Sequence, residues 1–311
     1  MQKNLEAYLP EVTLNFKDHL RYERRNKANT IHNYVTYVSN IQTFTGKSMA
    51  ELTREDIRAF IKDLEDRKFC KSSISNYVIA WRSYYSWLGD KTRDPEIIAM
   101  SFFLTKIIKI KKDFRVTETP SMDEVNRLRQ TLNAYKAAMA FNRKGVLYRA
   151  VLRDIALIEL LATAGLRSNE LRNLRRDEVD LEENVLFVRV GKGDRQRVSL
   201  FGNSAKIALE EYFKEHDFAP SANIMPKRGN MINYIIRRWA KRAGINEKIH
   251  AHSFRHFFIT ESLYQGIPIE SVADQVGHVN INTTRGYNHS NVSTLKAKYK
   301  NFNSERNPLT Q

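Results

Sequence analysis

A chain of 311 residues with 42% hydrophobic and 28% charged side chains is long enough for about two domains with cores of their own, and its composition excludes a disordered polymer. The 51 Lys and Arg against 35 Asp and Glu leave a formal charge of +16, which points to a polyanionic partner, either nucleic acid or an anionic membrane surface. The best apolar run, residues 155–166, is interrupted by Glu159 and falls short of the roughly 20 residues of a membrane span; the opening MQKNLEAYLPE lacks the regions of a signal peptide and the single Cys70 forms no intrachain disulfide, so no membrane partner and a reducing, cytoplasmic setting are expected.

From residue 4 to 89 apolar residues recur at intervals of three and four, which predicts a small all-helical bundle. One helix carries Ile31, Tyr34, Val35, Val38 and Ile41, a second Ile57, Phe60, Ile61 and Leu64, and a third Ile74, Tyr77, Val78, Trp81, Tyr84 and Leu88. Gly89 stands where the third helix would be capped. Basic residues occupy the polar positions, among them Arg21, Arg24, Arg25, Lys27, Lys71 and Arg82; such runs are ordinarily solvated faces. Residues 106–120 are basic and without helical period, which marks a linker. Ser121 with Glu124 forms a capping-box signature that opens a new helix and a new domain. Within that domain, residues 149–163 read as a buried helix ending near Gly165. NVLFVRV and RQRVSLF flank the turn Gly191, Lys192, Gly193 and Asp194 as a hairpin. Further helices are predicted over residues 230–243, 253–264 and 268–276, stopped in the first two cases by Gly244 and Gly266.

Four short patterns in the second half carry reactive side chains, and each taken alone has an ordinary explanation. Arg167 and Glu170 of GLRSNEL share the first turn of a helix, the spacing of an ordinary surface ion pair. His252, Arg255 and His256 of HSFRH project from one side of a helix. The two His at a spacing of four suggest zinc, but Arg255 between them would repel a metal and the usual intervening Glu is missing, so no metal is expected. Lys192 sits between turn glycines, free to swing toward a ligand. His278 precedes Tyr287 by nine residues. Together they assemble one chemistry. In-line attack on a DNA phosphodiester requires the charged phosphoryl centre to be neutralised, which suits the guanidinium forks of Arg167 and Arg255. A Tyr hydroxyl, with a pKa near 10, needs a cationic field and a proton acceptor such as His252, and the departing 5′ oxygen needs an acid, a role open to Lys192.

In this order the residues resemble the tyrosine recombinase or phage integrase family, whose pattern is an Arg in GLR-x-x-EL, a Lys in a GKG hairpin turn, H-x-x-R-H, a GH pair, and a Tyr nine residues on. Here these are Arg167 with Glu170, Lys192, His252 with Arg255 and His256, Gly277 with His278, and Tyr287. The resemblance implies a mainly α fold with a small β-hairpin or sheet, in two domains forming a C-shaped clamp on duplex DNA. Its boundaries are expected as a helical core-binding, SAM-like domain over 1–103, a linker over 104–120, a catalytic domain over 121–290, and a tail over 291–311 that contacts a neighbouring protomer through Leu295 and Tyr299. It implies a site-specific recombinase that makes a 3′-phosphotyrosyl intermediate on Tyr287, with no cofactor. Arg167, Arg255 and His278 would stabilise the pentacoordinate phosphate, Lys192 would act as general acid, and His252 would assist proton transfer; Glu170 would orient Arg167 and His256 would pack behind. The partners implied are double-stranded DNA with paired binding sites and three further copies, a homo-tetramer on two sites near the nucleoid. No arm-binding domain of the kind found in larger phage integrases is expected before the first bundle, and the resemblance is closer to compact Xer, integron and transposon-type members. Two rival expectations are a non-catalytic regulator, with residues 253–277 as a helix-turn-helix, and a topoisomerase using the related Tyr chemistry.

Overall fold

The computed structural model describes residues 11–107, 118–140, 145–189 and 196–277, and the chain divides into two compact units, residues 1–115 and 116–311. The first unit runs through helices α1 (Glu11–Asp18), α2 (Ala28–Thr45), α3 (Arg54–Asp66), α4 (Lys71–Thr92) and α5 (Pro95–Phe102), with π-helical turns at His19–Glu23 and Phe103–Ile107. The predicted stripes face inward: α2 buries Ile31, Val35, Val38 and Ile41, and α3 buries Ile57, Phe60 and Leu64. Each such side chain contributes roughly 1.5–3 kcal/mol when fully buried. The start of α3 is fixed by a capping box, in which Thr53 Oγ1 accepts from the Asp56 amide at 3.2 Å and Asp56 Oδ2 accepts from the Thr53 amide at 2.8 Å. Buried aromatic groups find partners for their polar ends: Trp81 Nε1 donates to the Tyr37 carbonyl at 2.9 Å and the Tyr85 hydroxyl to the Met49 carbonyl at 2.6 Å.

Gly89 does not cap α4. The helix continues to Thr92 and ends at Arg93 in the left-handed conformation. A Cβ on Gly89 would lie 3.2 Å from Ile98 Cγ1, so this glycine serves the close approach of α5 rather than a turn. Phe103 and Leu104 are buried in the core of the first unit, and the segment expected as a linker from residue 104 therefore begins inside that fold. Most of it, residues 108–117, lies outside the described residues, as does the tail with Leu295 and Tyr299.

In the second unit α6 (Met122–Met139) and α7 (Val146–Ala164) precede α8 (Ser168–Asn173) and a three-stranded antiparallel sheet of β1 (Val179–Asp180), β2 (Val185–Val188) and β3 (Arg197–Leu200) in that spatial order. The predicted hairpin is β2 with β3, in register Leu186↔Ser199, and β1 adds a short third strand beside β2. Then follow α9 (Asn203–Lys214), α10 (Met231–Arg242), α11 (Ala251–Tyr264) and α12 (Ile269–Val276). The Ser121 and Glu124 capping box is present. Helix α7 is enclosed on almost every side, and its two buried carboxylates are paired, as burial of a charge demands. Glu159 accepts from Arg129 Nε and Nη2 at 2.8 Å each and from Ser204 Oγ at 2.6 Å. Asp154 accepts from Arg153 at 2.7 Å, from Trp239 Nε1 at 2.8 Å and from Arg238. These contacts lock α6, α9 and α10 around α7.

Candidate active site

Helix α7 ends at Gly165, whose φ of +61° is the left-handed geometry that glycine accepts most readily. The chain then turns through the fully buried Leu166 to Arg167, which caps α8 in an extended conformation. Glu170, three residues on, closes this start: Oε2 accepts from the Arg167 amide at 2.9 Å and Oε1 from Arg167 Nη1 at 2.6 Å. The pair is no surface decoration, because the Glu170 side chain is 2% exposed. A second guanidinium shares the carboxylate, with Arg197 Nη2 on β3 reaching Glu170 Oε2 at 2.8 Å.

The other end of the site is the carboxyl terminus of α12. The last carbonyls of a helix lack intrahelical donors and carry partial negative charge. Here three consecutive carbonyls each receive one guanidinium: Gln275 from Arg197 Nη1, Val276 from Arg255 Nη2, and Gly277 from Arg167 Nη2, all at 2.6 Å. Arg255, which α11 holds at 1% exposure, also donates Nη1 to the Gly165 carbonyl at 2.8 Å. The structure thus brings Arg167 and Arg255, 88 positions apart in the chain, onto neighbouring carbonyls. Gly277 fits between the arginines because it has no side chain. With φ at +66°, a Cβ there would meet Arg197 Cδ and Nε at 2.8 Å.

The start of α11 supplies imidazoles. His250 caps the helix, its Nδ1 accepting from the Ser253 amide at 3.1 Å. His252 stands at the surface, and its ring meets that of His256 edge to face with centroids 4.5 Å apart. Partial desolvation, and after it the charges of Arg255, His250 and Arg167, lower the His252 pKa below the ordinary 6.5. Desolvation, then His252, Arg255 and His250, take His256 down to about 4. Both rings are therefore neutral at pH 7, and a neutral imidazole is a proton acceptor. The described residues thus assemble Arg167, Glu170, His252, Arg255 and His256; Lys192, His278 and Tyr287 lie outside them. Among the described residues no group of three His, Cys, Asp or Glu side chains is placed to hold a metal, and no helix is long and apolar enough to cross a membrane.

Two residues at the centre were not singled out from the sequence. Arg197 is one. Gln275 is the other: its side-chain amide behaves as a short strand beside β3, Oε1 accepting from the Leu200 amide at 3.0 Å and Nε2 donating to the Leu200 carbonyl at 2.7 Å. The alternation of β3 pointed the other way: Arg197 and Ser199 face inward while Val198 and Leu200 are 53% and 57% exposed.

The model of the phage integrase family matches residues 122–294, and that of the phage integrase N-terminal SAM-like domain matches residues 14–91. The chain belongs to the phage integrase family. Similar curated proteins are tyrosine recombinase XerD of Listeria innocua, 28% identical over 92% of this chain and 96% of its own length, and tyrosine recombinase XerC of Pediococcus pentosaceus, 26% identical over 92% and 96%. Among solved structures, XerH site-specific recombinase bound to palindromic difH substrate has a TM-score of 0.70 at 18% identity, over 92% of this chain and 84% of that one. The Tn1549 transposon integrase in complex with transposon right end DNA has a TM-score of 0.64 at 15% identity, over 93% and 98%. These two likenesses establish the mainly helical, two-domain fold. As a phage integrase family member the chain is a tyrosine recombinase, an enzyme that cleaves and rejoins DNA in site-specific recombination, and the reading of α11 and α12 as a non-catalytic regulator falls away.

Proposed function

We propose that Tyr287 is the nucleophile and that the cluster around the α12 terminus is the electrostatic half of its active site. In the first transesterification the Tyr287 hydroxyl oxygen bonds to the scissile phosphorus, the bond to the 5′ oxygen breaks, and a 3′-phosphotyrosyl link and a 5′-hydroxyl result. In the second, the 5′-hydroxyl of a partner strand attacks that phosphorus and releases Tyr287. The phosphotyrosyl bond retains the energy of the diester, so the scheme consumes neither ATP nor metal. Arg167, Arg255 and His278 neutralise the pentacoordinate phosphate. Lys192 protonates the 5′ oxygen, and His252 takes the Tyr287 proton. Glu170 orients Arg167, and His256 packs behind His252. Since Arg255 is enclosed and Arg167 is a quarter exposed, the phosphate meets Arg167 first and engages Arg255 on local opening at the end of α12.

The observation that supports this assignment most is the grip of Arg255 and Arg167 on the adjoining carbonyls of Val276 and Gly277, which gathers both cations at one helix end. The substrate is duplex DNA with paired sites inside the cell, contacted by a core-binding domain that extends past residue 103 through the buried Leu104 and by a catalytic domain over 121–290. Four copies act on two such sites, with the tail over 291–311 contacting a neighbour.

Covalent trapping tests the scheme. Wild-type protein is incubated with fragmented genomic DNA of its source organism, and protein-linked ends are sequenced to recover the site. A nicked duplex carrying that site then yields a protease-sensitive adduct with wild type and none with Tyr287→Phe; an undiminished adduct in Tyr287→Phe refutes the nucleophile. Lys192→Ala regains cleavage on a duplex with a 5′-thio leaving group, which needs no proton, and absence of that rescue removes the acid role.

A further inference from the structure

We infer that Arg197 is a positioning residue for strand cleavage: by sharing Glu170 and holding the Gln275 carbonyl, it keeps the Arg167 guanidinium on Gly277 and its charge available to the phosphate. The inference rests on the proposed role of Arg167 and goes beyond it to a residue outside the family pattern described above.

An isolated Arg167–Glu170 pair is electrically neutral and offers a phosphate little attraction. Adding Arg197 makes the group two cations and one anion, all linked at 2.6–2.8 Å, and the excess positive charge faces the site from Arg167, the most exposed of the three side chains at 25% against 12% and 2%. Geometry acts in the same direction. Glu170 Oε2 is occupied by Arg197 Nη2 and the Arg167 amide, which leaves Oε1 alone for the Arg167 side chain. Without Arg197, Oε2 gains room for the second Arg167 nitrogen, and the bidentate carboxylate fork is the stronger arrangement. Arg167 Nη2 would then leave the Gly277 carbonyl, and Arg167 would turn toward Glu170 and away from Arg255. Arg197 also stands at the start of β3, five residues after Lys192, and its other nitrogen holds Gln275. It therefore joins β3, the α8 start with Arg167, and the end of α12. Its Cδ and Nε occupy the space that a Cβ on Gly277 would need, so the absence of a side chain at Gly277 is what admits Arg197.

The test is a double-variant cycle on the nicked site-bearing duplex described above, read as single-turnover adduct formation from prebound DNA, with DNA affinity measured separately. Arg197→Met, which keeps an unbranched apolar stem and removes the guanidinium, is expected to slow cleavage by about 10- to 100-fold with affinity within about 3-fold of wild type. Glu170→Gln removes the charge that Arg197 offsets, so the double variant Glu170→Gln/Arg197→Met is expected to cleave at least about 3-fold faster than the product of the two single effects predicts. Damage to the fold alone would lower rates without that coupling. Arg197→Lys, which keeps the charge but reaches a single acceptor, is expected to fall between wild type and Arg197→Met, and it carries the cycle with Glu170→Gln if Arg197→Met fails to fold. Cleavage by Arg197→Met within about 2-fold of wild type, or strict multiplicativity in the cycle, overturns the inference. Tyr287→Phe in parallel separates the two levels: a persisting adduct there sinks the catalytic assignment, whereas its loss alongside fully active Arg197 variants sinks this inference alone.

Discussion

Substituting Gly165 by Ala strikes the junction between α7 and the Arg167 turn, and the structure sets the size of the effect. At φ +61° an alanine incurs the left-handed cost of roughly 1–2 kcal/mol. Its Cβ would also stand 2.4 Å from Phe258 Cδ1 and 3.0 Å from Cγ, a clash whose overpacking cost is about 1–3 kcal/mol. Spinning the ring about its own axis does not relieve it, because Cγ lies on that axis. Gly244 provides the control, with φ +62° and nothing within 4 Å, so that Gly244→Ala incurs the backbone cost alone. The slowest-exchanging amides of α7 report opening of the second unit. Gly165→Ala is expected to exceed Gly244→Ala there by about 1–3 kcal/mol, or roughly 5- to 150-fold in exchange rate. Because the Gly165 carbonyl holds Arg255, Gly165→Ala should also slow DNA cleavage while Gly244→Ala leaves it unchanged. Phe258 does border a cavity of about 420 Å³ lined by Phe201, Phe257 and Val272. Equal exchange in the two variants would mean that the ring swings into that space at no cost, and the claim that Phe258 locks this junction would be refuted.

Asp154→Ala should be among the most damaging single changes in the second unit. It strands the Trp239 indole N–H and removes the counterion of Arg153 and Arg238 at a fully buried position, costing about 3 kcal/mol; a fall in melting temperature of less than about 2 °C would contradict that pairing. His256 makes the fold acid-sensitive. An unfolded His titrates near 6.5 and folded His256 at about 4, so unfolding takes up a proton between those values. Stability conferred by keeping this ring neutral is whole above about 6.5 and declines as pH falls toward about 4. His256→Gln should flatten the dependence of melting temperature on pH in that interval, and an unchanged slope would assign it to other groups.

Local rules carried the sequence reading where side chains contact their own chain neighbours. Ser121 with Glu124, the stripes of α2 and α3, and the stop of α7 at Gly165 are all interactions within four residues or faces with a fixed period. Two helices with legible signals went unread. Helix α5 opens on Asp94 and Pro95, a capping residue followed by proline at the first helical position. Helix α9 spaces Ala205, Ala208, Leu209 and Tyr212 at helical intervals, but two of the four are alanines and the stripe is faint. Gly89 misled because a glycine that ends a helix and one that admits a neighbouring helix look alike in sequence. Strand β3 is inverted for a subtler reason. Alternation normally sends Val198 and Leu200 to the core, yet the inward face of β3 meets Glu170 and the end of α12, where a guanidinium fits and a branched alkyl chain does not.

The acceptors at the heart of the site had no signature at all, because they are backbone carbonyls. A helix terminus such as that of α12 carries about half a negative charge, and beside a bound phosphodiester it would repel the ligand. Arg197, Arg255 and Arg167 on Gln275, Val276 and Gly277 reverse that sign. With Glu170 counted, the end of α12 becomes a region of roughly +1.5 charges. Each carbonyl also fixes one guanidinium nitrogen, so on the proposed mechanism Arg167 presents its charge already oriented to an incoming phosphate, while the enclosed Arg255 adds its charge from behind until the end of α12 opens. The same geometry calls for arginine at both positions: Arg255 holds the Gly165 and Val276 carbonyls at once, and Arg167 holds Glu170 and the Gly277 carbonyl, which the single ammonium of a lysine could not do with the same planar fork.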